Sequence, residues 1–340
     1  VTRGRGAAAF KRSLTDRLKK ESTLRGRPFE HLRREFYLQR FLARIFSQPE
    51  GRWLLKGGAS LLVRLPDARY SQDIDLLHTA AGLAEAVEDL RAAADLSELD
   101  PLSFVIRDEP VAMTGGVDGA KLKVEVYYDA LYLFSFPIDL STELVAVGDV
   151  DYQSPRPIVA MEGLAAMPEF ALYPLPAQIA DKVCAMYGRY GRDGGPSTRY
   201  HDLVDLVLII SAWRFPADVL VRGLSQESER RGLVLPAAMS VPSVGWSAGY
   251  EAIARTVSGL PGGALTLDSA LVAPTSLRTP PVPDRGERHC PPALSAPSQA
   301  DAESQVCCIR YNIDVPHVDA QLAPMNVTAT IGNDKADQRK

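Results

Sequence analysis

The stretch Lys56-Gly57-Gly58-Ala59-Ser60, with Arg64 and then Ser71-Gln72-Asp73-Ile74-Asp75-Leu76 after it, holds the residue types that phosphate chemistry needs. If Ser71 to Leu77 is a half-buried strand, Asp73 and Asp75 point to one face while Ile74 and Leu76 point to the core. Two carboxylates about 7 Å apart along a strand can share hard divalent cations, and Mg²⁺ held that way keeps waters and takes phosphate oxygens. A Gly-Gly pair ahead of a helix leaves backbone N–H groups free to meet an anion at the helix N-terminus. A lone Asp-x-Asp is ordinarily an edge strand with solvated acids, and a lone Gly-Gly is ordinarily a turn. The order strand, Gly-Gly, helix, strand is far more specific, and its parts are those of a triphosphate-metal site.

A second constellation lies downstream. Asp181-Lys182 precedes Arg199-Tyr200-His201-Asp202-Leu203-Val204-Asp205, in which Arg199, Asp202 and Asp205 recur at three-residue steps and share one helix face. Taken alone, this pattern equally describes an intrahelical Arg–Asp pair on a wet surface. Lys182 is a compact cation suited to phosphate oxygens.

The elements that must position these residues follow from periodicity. Ser13 with Asp16 reads as a helix start that Gly26 ends, and Pro28 opens a second helix whose apolar face runs from Phe29 to Ile45. Trp53 to Lys56 reads as a strand, Ala59 to Leu65 as a helix, and Ala80 to Leu96 as another. Leu102 to Arg107, Leu122 to Tyr128 and Leu131 to Leu140 read as strands. Beyond Pro174 the pattern becomes helical: Ala177 to Tyr187, Thr198 to Ala212, Pro216 to Arg222 and Val244 to Val257. A Gly/Pro/Arg loop covers Gly188 to Ser197. Strands alternating with helices and then a helical run predict an α+β (α/β) chain with a small sheet.

Composition bounds the rest. The 340 residues are 46% hydrophobic and 24% charged, which excludes a disordered, collagenous or disulfide-framework protein. Residues 1–50 hold 13 Lys/Arg against 5 Asp/Glu, a charge of +8 on a chain whose total is −4. A basic block on an otherwise acidic chain predicts a polyanion near that end. No run of about 18 apolar residues is present to span a bilayer. The first residues lack a signal-peptide pattern, and Cys184, Cys290, Cys307 and Cys308 have no metal-pair spacing. We therefore expect a reducing, cytoplasmic setting. Residues 280–340 hold eight prolines and one aromatic, so residues 278–340 are expected to form a disordered tail.

The first constellation resembles the signature of the DNA polymerase β-like nucleotidyltransferase superfamily. That resemblance implies a third carboxylate on a neighbouring strand, and Pro137-Ile138-Asp139-Leu140 supplies one, with Glu125 and Asp129 as rivals. The second constellation, about 60 residues further on, makes residues 14–210 similar to the AbiEii-type (MenT-type) nucleotidyltransferase toxins. The resemblance implies a polymerase β-like core with a mixed β-sheet, N-terminal helices and a C-terminal helical domain. Its divisions are basic helices at 1–50, a catalytic core at 51–150 and a helical domain at 151–277.

It further implies transfer of nucleotides from NTP to the 3′ end of a tRNA, with pyrophosphate leaving. Asp73, Asp75 and Asp139 would hold two Mg²⁺ ions, or Mn²⁺. Lys56, Gly57, Gly58, Ser60, Arg64, Ser71, Lys182 and Arg199 would bind the nucleotide, and Asp202 and Asp205 would be needed for activity. The basic helices fit an RNA partner, a cognate antitoxin is implied, and neither membrane nor DNA is expected. His201 departs from the family pattern, in which a basic residue often precedes the Asp. Two other readings remain at this point: a small-molecule nucleotidyltransferase of the aminoglycoside-modifying kind, and a non-catalytic nucleotide-binding module. Ser71, on the face of both metal ligands, is also a candidate for regulatory phosphorylation.

Overall fold

The structure, a computed structural model, describes residues 6–79, 82–112, 119–191 and 193–272. The expected tail at 278–340 lies outside the described residues.

Two helices lead the chain, α1 at Ala7–Arg25 and α2 at Phe29–Phe46. The first begins six residues ahead of the expected Ser13. Ala7, Ala8 and Ala9 are strong helix formers, and the chain turns in at Gly6 rather than at a capping side chain. Gly26 closes it in the left-handed conformation, with its N–H on the Ser22 carbonyl. Phe10, Leu14 and Leu18 form a buried stripe along α1 at four-residue steps. Helix α2 buries Leu32, Phe36 and Phe41 and also turns Arg40 and Arg44 inward. Both arginines meet the buried Asp100, at 3.2 and 2.7 Å, so the basic face expected of α2 is partly internal.

The sheet is built from β1 (Trp53–Lys56), β2 (Ile74–His78), β3 (Ser103–Ala112), β4 (Gly119–Tyr128) and β5 (Leu131–Ser141), extended by β6 (Asp151–Gln153) and β7 (Phe170–Leu172). Its order is β3-β4-β5-β2-β1-β7-β6. Pairings β1–β2, β3–β4, β4–β5 and β6–β7 are antiparallel, while β2–β5 and β1–β7 are parallel, so the sheet is mixed. Helix α3 (Gly57–Arg64) links β1 to β2, and α4 (Leu83–Ala94) follows β2. One sheet face packs under α1, α2 and α4 through Leu55, Ile74, Leu76, Val124, Ile138 and Leu140. Strands β6 and β7 fall within the 151–277 stretch expected to be helical. At three residues each they are too short to show an alternating pattern.

A second apolar cluster joins α5 (Leu175–Tyr187), α6 (Tyr200–Ala212), α7 (Ala217–Arg230), α8 (Trp246–Ala254) and α9 (Leu267–Val272). Helix α7 runs eight residues past the expected Arg222. Between α5 and α6 a two-stranded hairpin, β8 (Arg189–Tyr190) with β9 (Gly195–Pro196), takes the place of the expected loop. The second cluster reaches α3 through Leu61, so α3 lies between the sheet and the helical layer.

Candidate active site

Strand register draws four charged side chains into one row across the sheet. Lys56 stands opposite Asp75, Asp75 beside Asp139, and Asp139 opposite Lys121. Register partners share a sheet face, so the row reads plus, minus, minus, plus. The neighbouring row is Leu55, Leu76, Leu140 and Ala120, all buried. Asp139 therefore reaches Asp75 through parallel pairing of strands far apart in sequence. Its rivals sit near the other end of the β4–β5 hairpin. Glu125 is held by Arg107 at 2.9 Å, and Asp129 occupies the turn with φ 51°.

Asp73 lies in a bend just ahead of β2, not on the strand as expected. The Ser71 hydroxyl donates to the Asp73 carboxylate at 3.2 Å, and Arg34 Nη1 donates to the Gln72 carbonyl at 2.7 Å, which keeps this segment out of the ladder. Gly57 has φ +62°, and a Cβ there would stand 1.8 Å from Asp75 Oδ2. A Cβ on Gly58 would stand 2.7 Å from Ser71 Oγ. The Gly-Gly pair thus lets the start of α3 close directly on the carboxylate segment.

Lys56, Gly57, Gly58, Asp73, Asp75, Lys121 and Asp139 border one cleft of about 1200 Å³, together with Arg69, Lys182, Arg199, Asp202, the hairpin's Arg189, and Arg230 and Arg231 where α7 ends. Within it Asp75 is pushed up to about 6, first by burial and then by the Asp73 and Asp139 carboxylates. Asp139 spends both oxygens on Lys121 Nζ, at 2.6 and 2.8 Å. Lys56 Nζ lies 3.2 Å from Asp181 and over the Tyr173 ring.

The distal constellation forms a buried charge cluster. Lys182 Nζ donates to Asp205 at 2.6 Å and to Asp202 at 3.1 Å. Burial works against its charge, yet these two carboxylates raise its pKa above the usual lysine value. Asp202 also accepts from Arg199; despite burial, Lys182 and Arg199 hold it well below the ordinary carboxylate range. Asp205 is fully buried and accepts from Arg69 Nε and Nη2, both at 2.8 Å. His201 Nε2 lies 3.8 Å from Asp202, with its pKa lowered mainly by burial.

Not every expected residue faces the cleft. Ser60 is buried, its hydroxyl within 2.9 Å of Gln178 Oε1 and 3.2 Å of the Gly57 carbonyl. Arg64 turns the same way, onto Asp151 at 3.3 Å and the Tyr173 carbonyl at 3.0 Å. Both lie on the face of α3 that packs inward, so they brace the cleft wall and do not line it. Ser71 is buried against Asp73, out of a kinase's reach in this conformation, so its hydroxyl orients the carboxylate.

Arg69 and Gln178 were not singled out from the sequence. The one signal for Arg69 is a cation two residues before Ser71.

The donors at the row's centre are hard oxygens crowded enough to force one toward protonation, which suits a divalent cation in kind. Among the described residues, no three His, Cys, Asp or Glu side chains stand ready to hold a metal ion together. Asp139 would first have to leave Lys121.

The sequence profile described as "Nucleotidyl transferase AbiEii toxin, Type IV TA system" matches residues 40–288. The chain belongs to the AbiEii nucleotidyltransferase toxin family. That match spans the Gly-Gly helix, both row carboxylates, Asp73 and the Lys182 cluster, so this AbiEii toxin carries both constellations inside the family region. Among curated proteins none matches the chain. Among solved structures, the nucleotidyltransferase toxin MenT4 from Mycobacterium tuberculosis is 16% identical, covering 70% of this chain and 86% of its own at a TM-score of 0.43. JHP933 from Helicobacter pylori is 16% identical over 59% of this chain and 75% of its own, at 0.35. A putative nucleotidyltransferase from H. pylori is 17% identical over 57% and 75%, at 0.34. As a member of a type IV toxin family, this AbiEii toxin has an implied cognate antitoxin. Among its described residues no helix is long and apolar enough to cross a membrane.

Proposed function

We propose that this enzyme transfers nucleotides from an NTP to the 3′ hydroxyl of a tRNA, blocking aminoacylation and translation. The observation that carries the reading is the charged row: two adjacent strand carboxylates, with Asp73 one bend away, at the floor of a cleft walled by cations. Asp73, Asp75 and Asp139 would hold the divalent cation, Mg²⁺ or Mn²⁺. When bound, it supplies Lewis-acid stabilisation of the attacking and leaving oxygens. Around that floor the chain's own groups position and neutralise. The backbone N–H groups at Gly57 and Gly58 open α3 toward the triphosphate. Lys182, held charged by Asp202 and Asp205, places a fixed cation at the wall where charge develops on the leaving group. Arg199, Arg189, Arg230 and Arg231 add further positive charge around the same space.

The RNA side of the proposal is supported by α1, whose exposed surface carries Lys11, Arg12, Arg17, Lys19 and Lys20 against Asp16. Such a face supplies phosphate contacts without sequence readout. We propose the working division accordingly: basic helices at 1–50, catalytic strands at 51–150, and the stretch 151–277 completing the cleft.

The test is incubation of the purified protein with Mg²⁺, each α-³²P-labelled NTP and total tRNA, with Asp73→Ala as control and an aminoglycoside acceptor in parallel. Label on tRNA that requires Asp73 and disappears with EDTA supports the reading. Label on the small molecule alone replaces the acceptor, and no transfer to either refutes the proposal.

A further inference from the structure

We propose that the stacked rings of His31 and Tyr70 form a nucleobase platform at the edge of the cleft, on which a base of the incoming nucleotide or of the acceptor's 3′ end stacks. The inference rests on the nucleotidyl-transfer reading and names a subsite within it.

The two rings lie 3.8 Å apart and 3° from coplanar. The other face-to-face pairs among the described residues, Tyr37 with Phe134 and Phe46 with Phe170, are packed into the apolar core. The His31–Tyr70 pair is different: both rings are half-buried and both border the cleft that holds Asp73, Asp75 and Lys182. Its partners come from separate elements, His31 from the first turn of α2 and Tyr70 from the segment leading into Asp73. Tyr70 lies three positions before Asp73, so its Cα is within about 11 Å of that of a candidate metal ligand.

The surroundings favour a base. Two rings already in parallel register offer a flat surface that a third ring extends, and stacking of this kind tolerates any base because every base has a π-face. Arg34 and Arg27 flank the pair and Arg69 borders the same cleft, supplying cations for the phosphates that travel with a base. Among the described residues, neither the Tyr70 hydroxyl nor the His31 ring nitrogens have a protein hydrogen bond. Burial first, and then Arg27 and Arg34, lower the His31 pKa, leaving a neutral imidazole near pH 7. Tying α2 to the Asp73 segment does not require the stack, because Arg34 already does so through the Gln72 carbonyl at 2.7 Å.

The experiment separates base recognition from mere bracing. Binding is measured with Ca²⁺ replacing Mg²⁺ to suppress turnover, for wild type, Tyr70→Phe, Tyr70→Leu and the His31→Leu/Tyr70→Leu pair. One arm compares each NTP with ribose 5′-triphosphate. The other compares tRNA with the same tRNA made abasic at its 3′-terminal nucleotide. The expected result is that Tyr70→Leu weakens the base-bearing ligand of one arm about tenfold, a typical stacking contribution. Its base-less counterpart is unchanged, and Tyr70→Phe behaves as wild type. The arm that responds identifies whether the platform serves the nucleotide or the acceptor. Equal loss for base-bearing and base-less ligands overturns the proposal in favour of a structural stack, and no loss in either arm overturns it outright. A base-dependent loss in the NTP arm from a protein that labels no tRNA would leave the platform standing and remove only the proposed acceptor.

Discussion

Asp205→Asn keeps the shape of the side chain and removes its charge, and the structure allows the cost to be worked out. The carboxylate is fully buried and receives Arg69 Nε and Nη2 at 2.8 Å and Lys182 Nζ at 2.6 Å. An amide accepts at one atom only and turns its NH₂ toward a cation. Removing one member of a buried ion pair costs roughly 3–5 kcal/mol. Lys182 keeps Asp202 at 3.1 Å, and the Arg69 side chain is 19% exposed and can recover some water. Both facts favour the lower end, about 3 kcal/mol. In a folded body of roughly 250 residues that lowers Tm by about 6–12 °C. Asp202→Asn is the internal comparison. Its outer partner, Arg199, is 45% exposed and rehydrates readily, so the expected loss is smaller, about 1–2 kcal/mol. Urea unfolding of both variants, alongside nucleotide transfer, is the assay. Transfer by Asp205→Asn should fall at least tenfold, because Lys182 and Arg69 both border the cleft and lose their common anchor. If Asp205→Asn is as stable as wild type, or no less stable than Asp202→Asn, the buried carboxylate does not organise the distal cluster.

Three further outcomes are expected. Asp75→Asn should remove transfer while raising stability in EDTA at pH 7 by about 2–3 kcal/mol, the cost of ionising a carboxyl pushed up to about 6; a destabilised variant would contradict the crowding argument. Gly57→Ala should lose transfer and stability together, since its Cβ would meet Asp75 Oδ2 at 1.8 Å in a backbone conformation with φ +62°; wild-type turnover would show that the contact yields freely. Glu227 is buried, which opposes its charge, yet Arg230 and Arg231 hold it down to about 2. Its folded pKa is depressed, so its stabilisation is complete above the unfolded value near 4.5 and is lost as pH falls toward 2. Glu227→Gln should therefore cost about 2–3 kcal/mol at pH 7, with the gap to wild type narrowing steadily below pH 4.5 in denaturant titrations. A gap independent of pH would assign the effect to packing.

The sequence made the central elements legible because their patterns were strong. Alternation around Ile74 and Leu76 marked β2, and helical spacing from Phe29 to Ile45 marked α2. The Gly-Gly step lay where β1 meets α3, as expected. Short pieces were not legible: β6, β7, β8 and β9 have two or three residues each, fewer than a period-2 pattern needs to stand out. Side-chain direction was the other gap. Ser60 and Arg64 follow the Gly-Gly pair at spacings that suit a phosphate cradle, yet Gln178 of α5 and the Tyr173 carbonyl draw them inward. Arg69 carried only the weak signal of a cation two residues before Ser71, because its partner, Asp205, lies 136 residues away. Asp139 was one of three choices until parallel register set it beside Asp75.

That parallel register also has a consequence in time. Parallel pairing between distant strands forms late, because a long loop must close before any contact rewards it. A chain leaving the ribosome completes the Asp73–Asp75 segment early, but Asp139, Lys182 and Asp205 follow only afterwards. At ordinary synthesis rates the 130 residues from Asp75 to Asp205 take on the order of ten seconds. Throughout that interval the growing polypeptide holds acidic residues without a floor to stand on or a cationic wall to face. On the proposed roles of Lys182 and Asp205, activity waits until the helical layer has emerged and docked, and fragments ending before Asp205 should be inert.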